Sequence, residues 1–183
     1  HLIPRDPTGD GKSDSCLHAA GGYSFDMFFW WYFAWPPEIR LRTLKYLKNN
    51  ESGNLISINA LEYAALIINF VAAMHYFMHI APSQENPFPT VLLYADNTAS
   101  ESWILKGCKS SLEGRALARL QCALMLNNPV GINVNHITSK ENEIAYRISR
   151  FKNSNDAQIG FPLLEQEFPQ LKRCRRFHPS AEL

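Results

Sequence analysis

The stretch from Ala60 to His79 constrains this chain more than any other. It is twenty residues of mostly good helix formers, without a proline or glycine. Within it Leu61, Ala64, Ala65, Ile68, Ala72 and His75 recur at steps of three and four, which puts them on one buried helical face. Ser57 stands where an N-cap is expected. The most apolar part, Ala64 to Ile80, contains Asn69, His75 and His79, with Glu62 just before it. It reads as too short and too polar to span a membrane.

Strands precede this helix. Asp14 to Trp35 reads as β-structure, with Gly21-Gly22 as a turn and Phe28 to Phe33 as a strongly β-forming run that Pro36-Pro37 ends. Alternation inside that aromatic run predicts core packing rather than base stacking. Residues 1–13 read as an extended lead-in and Glu38 to Gly53 as a polar surface loop. Downstream, residues 82–89 form a loop with three prolines, and Thr90 to Ala95 suits a buried central strand. Ser100 to Lys106 and Leu112 to Leu126 read as helices, and Asn127-Asn128-Pro129 breaks the second. Val130, Ile132 and Val134 alternate as a strand, and Glu141 to Phe151 reads as a short helix. Strands first, then alternation of helix and strand, predict an α/β fold with a mixed central sheet flanked by helices. The domain is expected over residues 1–151. Residues 152–183 read as a C-terminal tail or linker, with one helical turn near Leu163 to Phe168.

A hydrophobic fraction of 46% and an aromatic fraction of 12% are ample for a packed core and exclude a disordered chain. A net charge of +1 excludes a strongly basic nucleic-acid binder, so any such partner must be met by local patches. The densest is Lys172-Arg173-Cys174-Arg175-Arg176. Cys16, Cys108, Cys122 and Cys174 form no CxxC pair, which argues against zinc; a core of this size predicts free thiols. The N-terminus is not a signal peptide and lacks Met, so the chain reads as a fragment or a processed product.

Three acids sit where strand and helix signals meet: Asp14, Glu62 and Asp96. Singly, each has an ordinary explanation as a cap, a helix-dipole partner or a turn residue. Together at one end of a sheet they would form a hard-oxygen site suited to Mg2+ or Mn2+. Two such ions can activate a water and stabilise the leaving oxygen in a phosphodiester cut.

Four segments in order carry a resemblance. Ser13-Asp14-Ser15-Cys16, with Gly21-Gly22 behind it, is similar to the first motif of ribonuclease H domains in retrotransposon reverse transcriptase polyproteins. Ile56-Ser57-Ile58-Asn59-Ala60-Leu61-Glu62 resembles their helix-glutamate segment, and Leu92 to Ala99 their strand-end Asp-Asn motif. Asn135-His136-Ile137-Thr138-Ser139-Lys140-Glu141-Asn142, with Ile148-Ser149-Arg150, resembles their closing motif. Phe177-His178-Pro179-Ser180 resembles the segment C-terminal to this domain in tyrosine-recombinase (DIRS-like) elements.

The resemblance implies a ribonuclease H-like fold that cuts the RNA strand of RNA–DNA hybrids, beside a reverse transcriptase domain of the same polyprotein, in the cytoplasm or nucleus. It implies two Mg2+ (or Mn2+) ions, with Asp14 bridging both and Glu62 and Asp96 holding the ion on the leaving-group side. His136 would sit on a mobile loop and assist proton transfer or product release, or be a loop histidine without a task. Asn59, Asn97, Thr98, Ser100, Lys106 and Lys109 are candidate phosphate contacts. Arg115 and Arg119, four apart on one helix, either join them or are solvated charges. The family places a further Asp where this chain has Tyr146, in the pair Ala145-Tyr146. A neutral phenol is a poor magnesium ligand, and Glu143 is the candidate substitute. The alternative expectation is an impaired or domesticated module that binds nucleic acid or protein without cutting. On the catalytic reading, Tyr146→Asp raises magnesium-dependent cleavage.

Overall fold

The computed structural model describes residues 6–48, 55–82, 88–106 and 111–179, with the side chains of Leu105 and Lys106 outside that description. Cys108, Lys109 and residues 180–183 also lie outside it, as do parts of the predicted lead-in (1–5) and of two predicted loops (49–54 and 83–87).

Six strands form one mixed sheet: β1 (Gly9–Ser15), β2 (Ala19–Ser24), β3 (Phe29–Ala34), β4 (Thr90–Ala95), β5 (Gly131–His136) and β6 (Arg175–Arg176). Their order is β5-β4-β1-β2-β3-β6. β1, β2 and β3 are antiparallel neighbours, while β4 runs parallel to β1 and β5 parallel to β4. The β1–β2 connection lies at Cys16 to His18, closed by the Cys16 amide donating to the Ala19 carbonyl. Gly21 and Gly22 therefore do not form the expected turn; they sit inside β2. Their role is close approach. A Cβ on Gly22 would lie 2.7 Å from the Trp31 indole nitrogen, and one on Gly21 2.8 Å from the Ser149 amide.

The long helix is α2 (Ile58–His75), capped by Ser57 Oγ accepting from the Ala60 amide, as expected. It continues as a π-helical turn, Tyr76–Ile80. Counted from Ile58 the helix has 23 residues, long and apolar enough by composition alone to cross a membrane. The expectation started the apolar run at Ala64 and so underestimated it. Within the fold the helix packs on the sheet: Leu61, Ala65, Leu66, Ile68, Phe70 and Ala72 join Trp31, Val91 and Leu93 in the larger core.

Two segments differ from expectation. Residues 37–47 form helix α1 (Pro37–Leu47) rather than a polar loop. Its start signal is Pro37, whose missing N–H suits the first turn, while Glu38 in the first turn and Lys45 in the last match the helix dipole. Residues 152–179, read as a tail or linker, are packed into the molecule. Helix α6 (Ser154–Glu167) stacks Phe161 on Trp30 at 3.8 Å, and β6 adds to the sheet beside β3. With α5 (Glu143–Ser149) this segment covers the second face of the sheet, burying Tyr23, Tyr32, Ile148, Ala157 and Leu171. A single apolar side per turn, interrupted by Pro162, hid the helix from a periodicity reading. The remaining helices, α3 (Thr98–Lys106) and α4 (Leu112–Asn127), fall where expected.

Candidate metal centre

Strand register brings the acids together. β1 and β4 are parallel neighbours with Lys12 opposite Tyr94, so two residues further on Asp14 and Asp96 emerge side by side. Helix α2 starts at the same edge and delivers Glu62 from its second turn. The Ser15 amide donates to Glu62 Oε1 at 3.2 Å, tying helix to strand. Ligand oxygens of Asp14, Glu62 and Asp96 all lie within 4.8 Å of one another. Asp14 and Glu62 are 4% and 5% exposed, while Asp96 is half-buried at the rim.

A frame of polar contacts holds these carboxylates. Asp14 Oδ2 accepts from Ser149 Oγ at 2.5 Å and from Arg150 Nη1 at 3.2 Å. Asp96 Oδ2 accepts from Ser139 Oγ at 2.8 Å. Asn142 Nδ2 donates to the Ser13 carbonyl at 2.9 Å, which pins the start of α5 to β1. Trp35 Nε1 donates to the Cys16 carbonyl at 3.0 Å and steadies the end of β1. Glu62 Oε2 is buried and has no hydrogen-bond partner among the described residues.

Electrostatics at this edge are unfavourable for the bare carboxylates. Burial, then the Asp14 and Asp96 charges, push Glu62 well above the ordinary carboxylate range. Burial raises Asp14 as well, partly offset by the Ser149 hydrogen bond and the Arg150 charge. Three clustered acids with one orphaned buried oxygen form a hard-oxygen donor set that fits a divalent cation.

The other expected residues divide. His136 is not on a mobile loop but ends β5, opposite Ala95; its Nε2 lies 3.2 Å from the Asp96 carbonyl and donates to it when protonated. Tyr146 is exposed, with the Arg150 guanidinium 4.3 Å from its ring centre. Glu143 is exposed in the first turn of α5 and does not join the acidic group, because α5 turns that side to solvent. Asn59 and Asn97 bond each other, Asn97 Nδ2 donating to Asn59 Oδ1 at 2.9 Å. Asn97 Oδ1 also caps α3, accepting from the Ala99 and Ser100 amides. Ser100 is a correction: fully buried, its hydroxyl donates to the Asn97 carbonyl and cannot meet a phosphate. Thr98, Arg115 and Arg119 are exposed. The side chain of Lys106 and all of Lys109 lie outside the described residues.

Sequence reasoning did not assign Ser15, Ser139, Asn142, Ser149 or Arg150 to the site. Ser149 and Arg150 lie 135 and 136 positions from Asp14, so only the docking of α5 on β2 makes them neighbours. The basic cluster also resolves: Arg173 packs on Phe28, and Arg176 donates to Gln158 and Ser154 while lying over Trp30. Cys16, Cys122 and Cys174 are free thiols. No protein-family model matches this chain, and neither does any curated protein or solved structure.

Proposed function

We propose that this chain is a metal-dependent endoribonuclease with a ribonuclease H-like fold, cutting the RNA strand of an RNA–DNA hybrid. The observation that carries this reading is the convergence of Asp14, Glu62 and Asp96 within 4.8 Å, with Glu62 Oε2 buried and unpartnered. Three buried or half-buried like charges at one end of the sheet oppose folding unless a cation or a proton offsets them. The mixed α/β sheet and the order of the four motifs also support it.

Asp14, Glu62 and Asp96 would hold Mg2+ or Mn2+, for which the family resemblance implies two ions. Bound there, such a cation would supply Lewis-acid chemistry for activating a water and stabilising a leaving oxygen. The chain's own residues fix the donors. Ser149 and Arg150 orient Asp14, the Ser15 amide orients Glu62, and Ser139 orients Asp96. His136, at the rim beside Asp96, is the group placed to take or give a proton. Thr98, Arg115 and Arg119 offer exposed contacts for phosphates, without reading sequence. The polyprotein's reverse transcriptase domain is the neighbour this role implies.

A cleavage assay on labelled hybrid, duplex DNA and single-stranded RNA, with Mg2+ or Mn2+, tests the reading. Hybrid is expected to be cut, and Glu62→Gln to lose on the order of 10³-fold in rate. Equal cutting by Glu62→Gln would sink it. A second reading, a module that binds hybrid without cutting, is favoured by one observation: with Tyr146 at the expected position and Glu143 exposed, no fourth carboxylate joins the acidic group among the described residues. Binding without cleavage, with cleavage gained in Tyr146→Asp, would establish that reading.

A further inference from the structure

We infer that the acidic centre is built for one divalent ion, with the Arg150 guanidinium serving in place of a second cation. The inference rests on the metal-dependent reading of this site.

The protein's donors fall on Asp14 Oδ2, Glu62 Oε1 and Asp96 Oδ2. Glu62 Oε2 is fully buried and receives no hydrogen bond among the described residues, and one ligand oxygen from each of the three acids lies within 4.8 Å of the others. Three oxygens from three side chains supply half the coordination sphere of one octahedral Mg2+, the rest being left to water and phosphate. A second ion would have to bridge through the oxygens that hold the first, or share those that Ser149, Arg150, Ser15 and Ser139 already engage.

Charge leads to the same count. Three carboxylates and one arginine leave a formal charge of minus two, which one divalent ion neutralises. Two ions would leave the centre positive before any phosphate arrived. Arg150 is a fixed cation, since guanidinium stays protonated at any working pH. It is also held from three sides: by Asp14 at 3.2 Å, by Ser149 Oγ at 2.7 Å and by the Tyr146 ring at 4.3 Å. Tyr146 thus has a task at the position where an acid was expected. Its ring face supports the guanidinium by cation–π attraction, whereas an acid there would draw Arg150 toward itself. Arg150 is accordingly a positioning residue for Asp14, on a side chain still 39% exposed.

Mn2+ titrated into the full chain, counted by calorimetry and by the electron paramagnetic resonance signal of free ion, tests this without any activity. The wild type is expected to bind one ion, and Glu62→Gln none. Arg150→Gln should bind its first ion about tenfold more tightly and accept a second, because a positive charge near the ion has been removed. Arg150→Lys keeps the charge and should keep the count at one. Two ions in the wild type, both lost in Glu62→Gln, overturn the inference while leaving the nuclease reading intact. No ion in the wild type overturns both. Arg150→Gln matching the wild type in number and affinity overturns the inference alone; if that variant fails to fold, the wild-type count decides.

Discussion

Glu62 and Asn69 lie seven residues apart on helix α2, two turns along the same side, and both are buried against the sheet. Their surroundings are opposite. Asn69, at mid-sheet, accepts from Trp31 Nε1 at 2.9 Å, a neutral donor meeting a neutral acceptor. Glu62, at the sheet edge, faces two further carboxylates. Each leaves one buried atom unpartnered, Asn69 Nδ2 and Glu62 Oε2, but only the second belongs to a charge. A neutral polar pair inside a core fixes how helix and sheet align at modest cost. Three crowded acids oppose folding, and are tolerated where function needs them. Substitution should therefore have opposite signs at the two places.

The largest effect is expected where core and edge are mechanically joined. Gly21 pairs with Asp14 in the sheet, and a Cβ there would meet Ile148 Cβ and the Ser149 amide, each at 2.8 Å. A backbone amide cannot swing aside, so Gly21→Ala should cost about 3 kcal/mol in urea unfolding and displace Ser149 and Arg150 from Asp14. A loss under about 1 kcal/mol would mean that α5 is not seated tightly on β2. Asn69→Leu comes next. It strands the Trp31 indole N–H in the core and should cost about 2 kcal/mol. Gly11 shows how tight that region is, since a Cβ on it would lie 2.6 Å from Asn69 Nδ2.

The third prediction reverses sign. In chelator, Glu62→Gln removes one of three like charges while keeping the side-chain volume. It should stabilise the metal-free protein by about 1 kcal/mol, even as it abolishes ion binding. Destabilisation by a similar amount would place Glu62 with Asn69 as a structural residue and end the contrast.

How much of this was legible in the sequence depends on how far each interaction reaches. The Ser57 cap and strand Thr90–Ala95 rest on neighbouring residues, and both fall where the local pattern puts them. Asp14, Glu62 and Asp96 were legible as a trio only through four motifs in order; none is unusual alone. Ser139 and Arg150 fell inside the segment that resembles the closing motif but received no role there, since their contacts with Asp96 and Asp14, 43 and 136 positions away, appear only in the fold. Helix α6 was hidden for a different reason. It turns only Ala157, Phe161 and Leu164 inward and leaves Ile159 and Leu163 exposed, so no clean stripe marks it. Helix α1 was missed because its buried content is a single Thr43, although Pro37, Glu38 and Lys45 mark its ends.

The smallest expected effect is the most specific, since it separates charge from packing. Burial first, then the Asp14 and Asp96 charges, hold Glu62 well above its ordinary value; Asp14 is raised too, by burial first. A carboxyl raised in this way keeps a proton in the folded state that the unfolded chain releases at about pH 4.3. Its contribution to stability is complete below that unfolded value and is lost as pH rises through the folded one. In chelator, the Tm of the wild type minus that of Glu62→Gln should therefore fall as pH climbs above the unfolded value of about 4.3. Taking the difference cancels the exposed carboxylates of Glu141 and Glu167, which hydrogen bonds shift downward and which titrate equally in both proteins. Excess Mg2+ should invert the slope, because an ion competes with protons for these oxygens and binds better as they ionise. Asn69→Leu, which changes no titrating group, should run parallel to the wild type across the same range. A wild-type minus Glu62→Gln difference that stays flat with pH, in chelator and in Mg2+ alike, would mean the edge acids are not coupled, and the contrast along α2 would reduce to ordinary packing.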